Sequence, residues 1–253
     1  MSPILTALLV FACIFAGALV GLALRERLPG HHLSKESGDT VKLVAGLLAT
    51  LSALVLGLMI ASAKDSFDTV NAGLQKTLSK LIVIDRMLAE YGGEADELRR
   101  VLKAQSQAQY DSLLAPGTSE TSAQRILSLP PTAGRFEDGL RALAPADELR
   151  RGLVDRIRSL SYDIRETHWL IVERADDSLP PVFLLVIVLW LTMMFLSFGL
   201  FSPRNWTTLT AMALAAAAVA MAVLLIEEMY RPLEGLISIP AGPIRAALSA
   251  LGQ

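Results

Sequence analysis

Leu54–Thr69 reads LVLGLMIASAKDSFDT, with no proline and a single glycine, Gly57. Over this stretch the composition passes from lipid-compatible to charged, yet nothing in it stops a helix. The residues that follow keep helical periodicity. Phe67, Val70, Leu74, Leu78, Leu81, Ile84, Leu88 and Tyr91 recur at steps of three and four, which is one apolar stripe. The stretch therefore predicts a helix that leaves a membrane unbroken and ends only at Gly92 and Gly93 in "YGGE".

The membrane assignment rests on where the apolar residues fall. Of 253 residues 53% are hydrophobic and 19% charged, with a mean hydropathy of +0.47; soluble chains average about 45–50% and about 25%. Residues 1–24, 43–63, 178–203 and 205–226 contain no Asp, Glu, Lys or Arg. Each can supply the roughly 20 apolar residues that a helix needs to cross the hydrocarbon. The fold class expected is all-α, an integral membrane protein with four transmembrane helices and a long helical section between the second and third. Residues 1–3 carry no Lys or Arg, while Arg25 and Arg27 follow the first apolar run. That order reads as a membrane anchor, not a cleaved leader.

The expected organisation is residues 1–63 for the first two spans (about 2–24 and 42–63) with a polar loop at 25–41. Residues 64–178 form the extramembrane stalk section, 179–226 the third and fourth spans, and 227–253 an interfacial C-terminal segment, whose stretch from Leu233 on lies near the interface or packs on the stalk. A structureless loop of the stalk's length is rare, so that section needs structure of its own. A second helix is predicted from Glu94 to about Leu114, then short turns punctuated by Pro130, Pro131, Gly134 and Pro145. A third helix carries the stripe Leu149, Leu153, Ile157, Leu160, Ile164 and Ile171 toward Pro180 and Pro181. Two long helices with one apolar face each are expected to pack as an antiparallel pair.

Two rows stand out on the second span. Ala45, Ala49, Ala53, Gly57 and Ala61 are spaced by four and offer almost no bulk, which suits close helix packing. The opposite arc carries Leu47, Leu51, Leu54 and Leu58. Two arrangements satisfy this pattern. The small row packs on a neighbouring helix while the leucines face lipid or other helices; or Leu51, Leu54 and Leu58 surround the axis of an oligomer as an apolar neck that gates by dewetting. Gly17 and Gly21 form a GxxxG in the first span, and the fourth is alanine-rich.

Reactive chemistry is sparse. There is no G-x-S-x-G, P-loop or GxGxxG. His31 and His32 are adjacent and His168 is remote, whereas a metal usually takes three or four ligands. Cys13 is the single cysteine, and no sustained basic stripe suits nucleic acid. No catalytic, cofactor or metal site is expected. Glu227 and Glu228 read as interfacial anchors with Arg231 one turn on, the alternative being a role in ion or proton passage. Arg99, Arg100, Arg150, Arg151, Arg156 and Arg158 read as a solvated face.

With "LPGHHLS", "LVLGLMIASAKDSFD", "DRMLAEYGGEA", "SFGLFSPRNW" and "RPLEGLISI" in view, the chain resembles the bestrophin-like family of bacterial membrane proteins over nearly its whole length. It more distantly resembles the bestrophins, pentameric anion channels with four spans, an apolar neck on the second helix and a cytosolic stalk. The resemblance implies a homo-oligomer in the bilayer of a bacterial cell membrane, with a small anion as permeant species. Phe67-Asp68 stands where an aromatic–acid pair falls in bestrophins, but Thr69-Val70 follows in place of their basic–aromatic pair, and no acidic calcium clasp is present. Calcium gating is therefore not implied. The alternative is a non-conducting membrane scaffold or signalling protein that recruits a partner through its helical section.

Orientation draws two opposed arguments. Arg25, Arg27, Lys35, Lys42 and Arg204 lie in short loops, which the positive-inside rule would keep in the cytoplasm. The resemblance places the stalk there instead, and because Lys64, Lys76, Lys80, Arg165, Arg174, Arg231 and Arg245 dilute the bias, the stalk is expected in the cytoplasm.

Overall fold

The second helix runs without interruption from Lys35 to Tyr91. Its 57 residues far exceed the ~20 that a bilayer requires. It ends where only glycine fits, for Gly92 has φ 109°, in the left-handed region. The computed structural model describes residues 2–29, 34–114, 133–175, 181–232 and 237–252. Among them the elements are α1 (Pro3–Arg27), α2 (Lys35–Tyr91), a 3-10 turn (Gly93–Ala95), α3 (Asp96–Leu114), α4 (Ala133–Ala142), α5 (Glu148–Ala175), α6 (Pro181–Phe201), α7 (Trp206–Met229) and α8 (Ala241–Ala250), with no strand. His31 and His32, and most of the proline-punctuated segment, lie outside the described residues.

The chain divides into two compact units, residues 1–65 with 178–230 and residues 66–177 with 231–253. In the first unit, α1, the start of α2, α6 and α7 are long and apolar enough to span a membrane. Their core is Val10, Ile14 and Ala18 of α1, Ile187, Leu191 and Phe195 of α6, Met212, Ala216, Val223 and Ile226 of α7, and Ala45, Met59 and Ala63 of α2. The tightest contact lies between α1 and α6. A Cβ on Gly17 would stand 2.8 Å from the Thr192 carbonyl oxygen; one on Gly21 would collide with the Leu196 carbonyl, and one on Gly199 with that of Ala18. Partner numbers rise together, so the two helices run parallel with their backbones in contact, a geometry that hydrogen as a side chain permits.

Helix ends in this unit are closed locally. Ser2 caps α1 through its hydroxyl, which accepts from the Leu5 N–H, with Pro3 in the first turn. The Asn205 side chain accepts from the Thr208 N–H at 2.8 Å to start α7. Arg25 donates to the Ser202 carbonyl, and Arg204 pairs with Glu26. These cations, counted above as topology signals, also fasten the end of α1 to the α6–α7 turn.

In the second unit the expected antiparallel pair forms between α2 and α5. Ser66 donates to the Arg174 carbonyl, a Cβ on Gly73 would meet Ile171, and Lys80 bonds Asp163 at 3.1 Å, so numbers rise on one helix as they fall on the other. The stripe read from sequence is the core. Val70, Leu74, Leu78, Leu81, Ile84, Leu88 and Tyr91 are buried against Leu98 and Leu102 of α3, Phe136 and Leu140 of α4, and Val154, Ile157 and Leu160 of α5. The C-terminal segment, expected near the membrane interface or packed on the stalk, divides. Residues 227–229 end α7, and Ile244, Leu248 and Leu251 are buried in the second unit's core because their spacing gives α8 one apolar face.

One cation of the expected solvated face is largely withdrawn from water, with its side chain 19% exposed. Arg99 donates Nε and Nη2 to the two oxygens of Asp85, each at 3.0 Å, and Asp85 is 3% exposed. That hydrogen bond, partly opposed by burial, pushes the guanidinium further toward its charged form. Polar residues inside an apolar stripe are invisible to periodicity; their burial depends on a partner from another helix.

Candidate functional site: the exposed face of the second helix

Ala45, Ala49, Ser52, Leu56, Met59 and Ala63 form the inward face of α2, at alternating steps of four and three. The predicted small row follows this seam only at its start. Ala45 is buried and Ala49 packs against the core, but Ala53, Gly57 and Ala61 are exposed on the chain, and nothing lies within 4 Å of a Cβ on Gly57. The reason is angular: a spacing of four advances about 40° per step around the helix, so the row leaves a seam that keeps pace with the turn.

The opposite arc points away from the bundle. Leu47 is 61% exposed, Leu51 39%, Leu54 61% and Leu58 62%. Within one chain only 11% of the α2 span is buried, against 39% for α1 and 28% each for α6 and α7. Leu51, Leu54 and Leu58 thus lie on one surface strip that this chain leaves uncovered. The strip continues through exposed Ala61 to exposed Asp65, about 20° from the azimuth of Leu58. The step of four from Ala61 to Asp65 was legible in the sequence, but the charge falls beyond the apolar run that marks the span.

Two further polar groups are buried in the first unit, and only the second was singled out in the sequence. Ser52 is 1% exposed in the seam, and its hydroxyl has no hydrogen-bond partner. Glu228, expected at the interface beside Glu227, is 5% exposed and is engaged within the chain. Nearby the Tyr230 hydroxyl lies 3.3 Å from the Ser62 hydroxyl. Among the described residues no three His, Cys, Asp or Glu side chains converge as a metal site, and Cys13 is exposed and free.

An apolar four-span bundle, with one span prolonged into a helical section outside it, defines an all-helical integral membrane protein. The Bestrophin-like domain matches residues 12–244, and the chain belongs to that family. Three structures of variants of a bacterial bestrophin homologue from Klebsiella pneumoniae share the fold, with TM-scores of 0.68, 0.66 and 0.66 at 16%, 14% and 17% identity. They cover 100%, 100% and 97% of this chain and 100%, 99% and 98% of their own. No curated protein matches the sequence.

Proposed function

We propose that the protein is a homo-oligomeric ion channel in which α2 of each copy faces a shared axis, with Leu51, Leu54 and Leu58 forming the constriction. The observation that carries this is the uncovered leucine strip running into Asp65. Leucines alone would suit lipid equally well, because lipid gives helices no hydrophobic reason to associate. A carboxylate on the same azimuth favours an aqueous path at that end. Rings of leucine narrow enough to shed water then supply a gate.

The bestrophin likeness supports an anion as the permeant species, whereas a ring of Asp65 carboxylates at the neck's end favours cations. Reversal potentials in a potassium chloride gradient, for the wild type and Asp65→Asn, decide between them. Ion flux from reconstituted liposomes tests the channel itself; a well-folded oligomer that stays silent across pH and calcium would overturn it. The cell membrane, with the stalk in the cytoplasm, is the location that goes with this reading. Alkaline phosphatase and a fluorescent protein fused in parallel at Gly117 test that orientation.

A second reading is favoured by exposed apolar residues on α5: Tyr162 is 58% exposed, Trp169 63% and Leu170 52%. On it the protein is a non-conducting scaffold whose helical section recruits a partner. A monomer by mass photometry in mild detergent would support the scaffold over the pore.

A further inference from the structure

Inside the second unit, α2, α3, α4 and α5 line a cavity of about 260 Å³ that is open on one side. Leu81 and Ile84 wall it from α2, Leu102 from α3, Phe136 from α4 and Ile164 from α5. Close-packed interiors hold few voids larger than a water, and an unfilled one destabilises the fold. An apolar cavity of roughly 150 Å³ accepts benzene, so this one has room for about ten to twelve heavy atoms.

Its polar groups define what fits. Gln105 lines the cavity, and its side-chain amide oxygen is buried with no hydrogen-bond partner. Ser106 and Tyr110, each 2% exposed, stand one turn apart on the same helix and line it too. Burial pushes the Tyr110 phenol up and the His168 imidazole down, so both are uncharged at neutral pH. The two charged lining groups, Arg165 and Glu137, neutralise each other in an ion pair. The wall thus offers a molecule no net charge, and it leaves one acceptor in want of a donor. Trp169 lines the cavity and is 63% exposed, which marks its open side.

We propose that this cavity binds an uncharged, mainly apolar small molecule of about ten to twelve heavy atoms carrying one hydrogen-bond donor, a phenol or alcohol, directed at Gln105. The proposal does not rest on ion conduction, because every lining residue belongs to the second unit and none to the leucine strip of α2.

The test uses the full chain in lipid nanodiscs with Trp190→Phe and Trp206→Phe, so that Trp169 is the sole tryptophan. Titration with 1-naphthol is expected to change Trp169 emission saturably, with 1-naphthoate about tenfold weaker at neutral pH, its charge being left unpaired on burial. Ser106→Leu fills the cavity and is expected to abolish saturation while the unfolding temperature holds or rises. Gln105→Leu, which leaves the volume nearly unchanged, is expected to weaken naphthol binding about fivefold, the worth of one hydrogen bond, and to leave naphthalene binding unaltered. A response that rises linearly and identically in wild type and Ser106→Leu is partition into lipid and overturns the proposal. Equal affinity for naphthoate, or Gln105→Leu weakening naphthol and naphthalene alike, overturns it as well. Should Ser106→Leu fail to fold, the naphthol–naphthalene comparison in Gln105→Leu decides.

Discussion

Asp85 and Arg99 face each other across the Gly92 turn, both carboxylate oxygens 3.0 Å from guanidinium nitrogens, and the Gly252 N–H donates to the same carboxylate at 3.0 Å. One buried carboxylate therefore joins α2, α3 and the C-terminal turn after α8. Asp85→Ala leaves the guanidinium and the Gly252 N–H without their acceptor, and it should destabilise the second unit by about 3 kcal/mol. Asp85→Leu combined with Arg99→Met should restore most of that loss, since an apolar pair incurs no desolvation. Denaturant unfolding in detergent measures both. A cost below about 1 kcal/mol for Asp85→Ala would show that solvent screens the pair.

Backbone contact between α1 and α6 makes a steric prediction. Gly21→Ala and Gly199→Ala each place a methyl group against a carbonyl of the facing helix. Each should cost about 1–3 kcal/mol, the usual range for overpacking. Gly152→Ala is the counter-case: it lies within α5 with nothing inside 4 Å of the new Cβ, so it should stabilise by about 0.5–1 kcal/mol. Thermal unfolding of the three variants side by side tests whether close approach, not glycine content, governs the response.

Leu54→Ser and Leu58→Ser should raise liposome ion flux several-fold, because a hydroxyl lowers the barrier to wetting the neck. Both side chains are more than 60% exposed within the chain, so their replacement should leave its fold intact. Leu191→Ser on α6, whose side chain is buried in the bundle core, should instead destabilise the fold without opening a path. Flux that is unchanged in the two α2 variants of an intact oligomer would remove the strip from the conduction pathway.

His168 gives a pH dependence with a defined sign. Burial holds its imidazole below the ordinary range. Above about pH 6.5 the ring is neutral in both folded and unfolded chains and adds no slope. As pH falls through that value the unfolded chain takes up the proton first, so stability declines until the folded-state value is passed. His168→Gln should therefore show a smaller loss of unfolding temperature than the wild type between about pH 7 and pH 5. An equal or steeper loss in the variant would mean that other groups carry the acid sensitivity.

The four spans and the unbroken α2 were legible in the sequence because both are local. An apolar run longer than the bilayer is thick must be buried or inserted, and a stretch without proline, carrying one stripe from Phe67 to Tyr91, has no reason to leave the helix. The family followed from short motifs for the same reason, since each is read without knowing what it touches. Tertiary structure decided which rows of α2 meet other helices of the same chain. Ala53, Gly57 and Ala61 are as small as Ala45, but the seam turns with the helix and they do not stay on it. It alone buried Asp85 against Arg99 and assembled the cavity from four helices, for such pairings join residues far apart in sequence. Hydropathy sums what each residue gains by leaving water; it carries no record of which partner waits on the other side.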